Sequence, residues 1–389
     1  MTPRERLLAA IDRQPVDYVP CAPFFNPLTP QQRAGRRWEF PFGPSEQEMA
    51  EYAVCQLGVA PPVALPIGDY HPNFFMSLYY DPHPECTSKT WFEDDQIHKV
   101  WETPAGRLQA SVNYDEKWPH GLDIPFFSDF TIGHFTRPWL ASEADLECLR
   151  CILRPLDRRE ELDRARFECR AMKAVADRLG LATIAHVGMG LTGAMQLCGS
   201  QSVCMMAAEQ PDLLRAYLEL DHQRNLRHME LACQFGADII RRNGFYETCD
   251  FYGPRMLESF LGPLLREEIE AVHAAGRRIG YTVNTGVMPM LDYLAGLDFD
   301  CILHIDMAAA GVDPVRIRDK LAGSKSLWMG PSSVYHMWDG DAEVPRRALR
   351  ELLSVLGNQG VIVTPSPSVH SIMPWDNFLA VVDQWKQLR

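Results

Sequence analysis

The sequence predicts an α/β fold, a (β/α)8 TIM-type barrel with an N-terminal helical and β-hairpin elaboration. Three observations predict it. From about residue 157 onward, short apolar runs alternate with amphipathic helical stretches, the pattern of parallel strands with covering helices. No strand is followed by a Gly-rich dinucleotide loop, which favours a closed barrel over an open doubly wound sheet. The 389 residues, 46% of them hydrophobic, are enough for the large core of one elaborated barrel. The expected organisation is a single domain over 1–389, with the elaboration at about 28–155 and the main barrel repeats at about 156–389.

The elements follow in order. Thr2 is a good N-cap and Pro3 a good first helical residue, so a helix is expected over 3–13. A short strand over 18–25 ends at Asn26-Pro27. The stretch to about 155 is aromatic, rich in proline and weakly periodic. Within it, alternation over 98–102 and 107–112 with a turn at Pro104-Ala-Gly106 predicts a β-hairpin. Helix 158–179 leads through Gly180 to an apolar run, 181–187, and a further helix. Strand 237–240, helix 262–275 and strand 278–283 continue the series. Strands 301–305 and 326–329, helix 343–356, strand 361–364 and a closing helix over about 377–388 complete it.

Composition excludes several roles. Net charge is −13, from 38 basic and 51 acidic residues, which argues against nucleic acid, whose phosphates demand a basic face. No apolar run approaches the roughly 18 residues of a membrane span. The opening Met1-Thr-Pro-Arg-Glu-Arg-Leu-Leu lacks the apolar core of a secretory signal, so a cytoplasmic protein is expected. The 11 cysteines lack disulfide-scaffold spacing, and Cys148-Leu-Arg-Cys151 reads as thiols on a helix.

Barrel chemistry sits at the C-terminal ends of the strands, so the strand assignment yields candidate site residues. The first strand delivers Phe24, Phe25 and Asn26. Later strands deliver His186 and Met189, then Asn243, Tyr246 and Glu247, Tyr281 and Asn284, His304 and Asp306, and Ser366 with His370. Phe24, Phe25, Asn26, His186, Met189, Asn243, Tyr246, Tyr281 and Asn284 are the candidate substrate-binding residues. His304, Asp306, Glu247 and His370 are the candidate catalytic ones. In His304-Ile-Asp306, strand alternation would put both polar side chains on one face, where a carboxylate can fix the imidazole tautomer or share a metal with it. Glu247, His304 and His370 are the candidate metal ligands, with zinc as the metal. Aromatics fall in the predicted loops (Phe74, Phe75, Tyr79, Tyr80, Trp118, Phe126, Phe127, Phe245 and Tyr246 join Phe24 and Phe25), which suits a planar apolar substrate.

Several segments resemble one family. Arg4-Glu-Arg-Leu-Leu-Ala-Ala-Ile-Asp with Asp17-Tyr-Val-Pro20, Gly236-Ala-Asp238 followed by Gly253-Pro254 and Pro263, Gly360-Val-Ile-Val-Thr-Pro365 and Pro374-Trp-Asp-Asn377 occur in the order of the uroporphyrinogen decarboxylase superfamily. Glycine at 253 replaces that family's serine. Glu102-Thr-Pro-Ala-Gly106 resembles the T-P-x-G hairpin of its corrinoid-linked methyltransferase branch.

The resemblance implies a deep pocket at the C-terminal mouth of a barrel. It also implies one of two chemistries: porphyrinogen decarboxylation without a cofactor, or methyl transfer to or from a corrinoid on a separate protein. Gln32-Arg-Ala-Gly-Arg36 only partly echoes the decarboxylase R-Q-A-G-R, and it lies too far downstream. The H-x-C of the zinc-dependent thiol methylators is absent, since Val283-Asn284-Thr285-Gly286 stands there, and Ser366-Pro367-Ser368 replaces their late cysteine.

The leading expectation is therefore a methyltransferase component of the O-demethylation type. It would act with a corrinoid protein on a small, methoxylated aromatic substrate. Family members of this kind pass the methyl group to cob(I)alamin while the leaving phenolate is protonated or polarised. A homodimer is a further expected association, and neither nucleic acid nor membrane is an expected partner. Two alternatives stay open, a cofactor-independent decarboxylase or lyase and a non-catalytic binding barrel.

Overall fold

The computed structural model describes residues 1–26, 40–43, 45–68, 83–115, 118, 120–127, 132–338, 341–370 and 373–389. Phe74, Phe75, Tyr79, Tyr80, Pro27 and the segment Gln32–Arg36 lie outside the described residues.

The first helix, Pro3–Ile11, starts as its cap residues dictate. The Thr2 hydroxyl accepts from the Glu5 amide and Glu5 reaches back to the Thr2 backbone. It stops earlier than expected because Arg13 takes φ +56°, outside helical space.

The next segment runs extended up the barrel. Ala22 N donates to Val363 O, Val363 N donates to Pro20 O, and β1 (Phe25–Asn26) pairs in parallel with Val369–His370. Seven parallel strands lie hydrogen-bonded in sequence from β2 (Val63–Gly68) to β12 (Val361–Val363). Between them come β7 (Thr183–Val187), β8 (Ile239–Asn243), β9 (Arg278–Thr282), β10 (Cys301–Leu303) and β11 (Ser326–Met329). The extended segment 20–26 closes the gap between β12 and β2 as an eighth staff. This is the (β/α)8 barrel that the alternating pattern predicts.

Preceding the second half, β3 (Thr87–Glu93), β4 (Gln96–Thr103), β5 (Gly106–Asn113) and β6 (Phe135–Arg137) form a separate antiparallel sheet. Its central hairpin turns through Pro104 and Ala105, at the expected turn. The barrel's last staff is extended by β13 (Val369–His370). No helix among the described residues is long and apolar enough to cross a membrane. Cys148 and Cys151 sit unpaired on the helix Glu143–Ile152.

Two packed layers follow from strand alternation. Ala22, Ala64, Ile184, Ile239, Cys301, Leu303, Trp328 and Ile362 form one cluster, which fills the barrel interior. The alternate residues, among them Ala185, Val187, Ile240, Tyr281, Ile302, Leu327 and Met329, join the larger cluster between strands and helices. Gly280 lies on an inward position of β9, where an added Cβ would come 2.5 Å from Leu303 Cδ1. Gly280→Ala therefore overfills the interior. A loss of about 1–3 kcal/mol is expected, read as a lower urea midpoint with an unchanged m-value.

One boundary departs from expectation with consequences for the site. The strand read over 301–305 ends at Leu303, and His304 adopts φ +69°. That left-handed turn ends the two-residue periodicity, so His304 and Asp306 do not share a face.

Candidate active site

A cavity of about 260 Å³ opens among the strand ends. The first staff contributes Phe24, Phe25 and Asn26 to its wall, β7 contributes His186, and β8 contributes Arg241 with Phe245 and Tyr246 from the loop beyond. Asn284 follows β9, while Ser368 and His370 come from the last staff. The helix Glu46–Tyr52 adds Glu46 and Met49 at the seam between the first staff and β2.

Phe24 is the floor. Its ring lies 5.0 Å from the His304 ring and 6.1 Å from the His186 ring, both edge-on, and 5.1 Å from Trp328. The Arg241 guanidinium packs 4.6 Å above Phe24 and 5.5 Å from Phe245, an aromatic bracket favourable to a cation. Its Nε donates to Thr282 Oγ1 at 2.8 Å.

Burial sets the charges. His186 is held well below the usual imidazole range by burial first and by Arg241 second. His304 is depressed in the same way, by burial, Arg241 and His186. Burial also lowers His370 to about 4. All three imidazoles are therefore neutral near pH 7. Ser368 Oγ lies 3.2 Å from His370 Nε2.

The expected residues divide accordingly. Phe24, Phe25, Asn26, His186, Tyr246, Asn284 and His370 are brought together at the cavity. His304 lies fully buried below it, against Phe24. Neither of its ring nitrogens has a hydrogen-bond partner among the described residues.

Asp306 turns elsewhere, accepting from Ser332 Oγ at 2.7 Å and the Ala308 amide at 3.0 Å. The expected His304–Asp306 pair is thus not formed. Met189 is wholly buried in the large apolar cluster, and Asn243 is buried at the end of β8 without reaching the cavity wall.

Glu247 and Tyr281 lie in the layer between strands and helices. Tyr281 points outward from β9, donates to Glu247 Oε2 and stacks on Phe299 at 4.7 Å. Glu247 also accepts from the Leu191 amide at 2.9 Å and faces Arg242 Nη2 at 3.5 Å. Arg242 in turn donates through Nε to Glu268 Oε2 at 2.9 Å. His222 Nδ1 lies 3.2 Å from Glu268 Oε1. This fully buried network is a structural clamp behind the barrel wall. Residue parity explains the outcome: Arg242 and Tyr281 alternate with the inward Arg241 and Thr282.

The expected metal ligands Glu247, His304 and His370 are accordingly separated. Among the described residues no three His, Cys, Asp or Glu side chains converge as a metal site. The expected zinc site is therefore not assembled from Glu247, His304 and His370.

Fold and cavity together define a (β/α)8 barrel whose site is built at the C-terminal strand ends. The chain belongs to the uroporphyrinogen decarboxylase (URO-D) family, whose profile matches residues 119–388, more than half of its length. Among solved structures, a methyltransferase from Methanosarcina mazei superposes with a TM-score of 0.61 at 15% identity, covering 100% of this chain and 99% of the other. A B12-independent methionine synthase from Shewanella sp. W3-18-1 covers 95% and 97% at 9% identity, with a TM-score of 0.46. At these identities the first likeness shows the shared barrel fold. No curated protein is similar enough in sequence to count as a match.

Proposed function

We propose that the protein is a methyltransferase moving a methyl group between a small methoxylated aromatic substrate and a corrinoid carried on a separate protein. One observation carries this reading. The cavity is small and walled by Phe24, Phe25, Phe245 and Tyr246, with Arg241 as the one arginine or lysine among its described lining residues. A porphyrinogen bearing many carboxylates would need more room and more cations. An aryl ring of a single-ring ether suits the aromatic walls.

The corrinoid, when bound to its own protein, supplies a strongly nucleophilic centre that takes up the methyl group. Exposed Val334, Tyr335 and Trp338 follow β11 on the side of the strand ends, an apolar rim suited to contact with such a partner. The roles of this chain's residues are to orient and desolvate. Phe24 and Phe245 would hold the ring plane, and Asn284 and Tyr246 would bind its oxygen substituents. Neutral His186 and His370 can accept or donate a hydrogen bond without carrying charge. The likeness to a Methanosarcina mazei methyltransferase agrees with this reading.

The test is methyl capture followed by absorbance, with the purified chain, a reduced corrinoid protein and a panel of methoxylated aromatics. Substrate-dependent formation of the methylated corrinoid is expected; its absence across the panel would sink the reading. Arg241 in the cavity wall favours a second one, decarboxylation of a small carboxylic acid. Release of carbon dioxide without any corrinoid protein would select that one instead.

A further inference from the structure

Glu46 escaped the sequence reading, and it is the one carboxyl in the described wall of the cavity. Ser45 caps the helix Glu46–Tyr52, its hydroxyl accepting from the Glu48 amide at 3.2 Å, and this sets Glu46 at the first helical position. From there the side chain enters the seam beside β2, where it is 5% exposed. Its Oε1 accepts the Ala64 amide at 2.7 Å. β2 is the edge of the seven-stranded ladder, so that amide takes a side-chain acceptor in place of a strand carbonyl.

Among the described residues, the charges around Glu46 are few. On its own helix Glu48 bonds back to Ser45, and Glu51 pairs with Arg178 of the neighbouring helix Arg159–Leu179. β2 carries no titratable side chain. Across the cavity stand Arg241 and the neutral His186 and His370. Burial raises the Glu46 carboxyl to about 7, and the Ala64 hydrogen bond opposes this only in part.

We propose that Glu46 is the general acid of this cavity, giving its proton to the aryl oxygen as the methyl group departs. This rests on the methyl-transfer reading above. The O–CH3 bond breaks with its electron pair staying on oxygen, and the methyl carbon bonds to the electron pair of the reduced corrinoid. The oxygen takes the Glu46 proton, and the resulting carboxylate regains one from water before the next turnover. The cavity's imidazoles and its guanidinium are mismatched to the task. The imidazoles hold a proton too weakly to carry one at pH 7, and the guanidinium holds its proton too strongly to release it.

Glu46→Gln keeps an acceptor for the Ala64 amide and removes only the acid. Two measurements test it. In the chain alone, the infrared difference between the native protein and Glu46→Gln is expected to show a protonated carboxyl band that titrates with a midpoint near pH 7. In methyl transfer, the native rate is expected to fall about tenfold per pH unit above pH 7, and this limb is expected to vanish in Glu46→Gln. The variant is expected to lose about 100-fold or more with ethers of weakly acidic phenols and far less with ethers of strongly acidic ones.

An absent band, a retained alkaline limb, or a loss independent of phenol acidity overturns the role of Glu46 while leaving methyl transfer standing. No transfer by the native chain overturns both.

Discussion

Arg242→Met is expected to remove about 3–5 kcal/mol of stability, a large share of the roughly 5–15 kcal/mol that holds a typical domain folded. Arg242 is buried behind the barrel wall between two carboxylates, Glu247 and Glu268, that are themselves inaccessible to water. Its guanidinium is held well above its ordinary range by those two groups despite burial. Glu268 is held below the usual carboxylate range with Arg242 as its strongest stabilising neighbour, while burial outweighs Arg242 at Glu247 and raises it.

Methionine fills the volume but leaves both carboxyls to be protonated or to stay charged without their cation. Urea denaturation at pH 7.5 measures the loss. Adding Glu268→Gln to Arg242→Met is expected to return part of it, because one stranded charge is then removed. A loss under about 1 kcal/mol for the single variant would show that the clamp contributes little.

The second large effect is acid lability. His186, His304 and His228 are all held far below 6.5, with burial as the main cause. The folded chain therefore binds fewer protons at these rings than the unfolded chain does. By linkage, their contribution is fully favourable above about pH 6.5 and is lost as pH falls below it. Each can cost up to about 1.4 kcal/mol per pH unit, so three together approach about 4 kcal/mol per unit. Glu46 works the other way between about 4.5 and 7, since its folded carboxyl holds a proton that the unfolded one releases. Three rings outweigh one carboxyl.

The urea midpoint is therefore expected to drop from pH 6.5 to 5, and His304→Phe, which removes one of these rings, should flatten that slope. A midpoint that stays level over this range would rule out neutral, buried imidazoles.

What the sequence disclosed followed from periodicity, and what it hid followed from local exceptions. β7, β8, β9 and β11 were legible as apolar runs between amphipathic helices, with some ends displaced by a few residues. β2 was not. Pro61 and Pro62 precede it and Pro66 lies within it, and proline inside a run argues against a strand. The barrel tolerates Pro66 because β2 borders the seam, where its ladder with β7 also shifts register.

At the site, Phe24, His186, Asn284 and His370 were readable from their positions at strand ends. Tyr281 was misplaced by one step of alternation, and Asp306 by the left-handed turn at His304. Glu247 was misplaced because the loop after β8 folds back to the start of the helix Gly190–Cys198. Nothing in the local pattern marked Glu46. Its capping box shows where a helix begins, whereas its burial depends on the seam between the first staff and β2, which exists only in the closed barrel.

That closure has a consequence for how the molecule is made. Phe25 pairs with Val369, 344 residues later (369 − 25). At translation rates of about 5–20 residues per second, the first staff emerges some 20–70 s before its partner exists. Until then its row of unpaired amides has no neighbour on that side, and the partial barrel stays open. Pairing so distant in sequence carries a large loop-closure entropy, so closing the ring is a late and slow event. The pocket floor at Phe24 comes into being only with that final step.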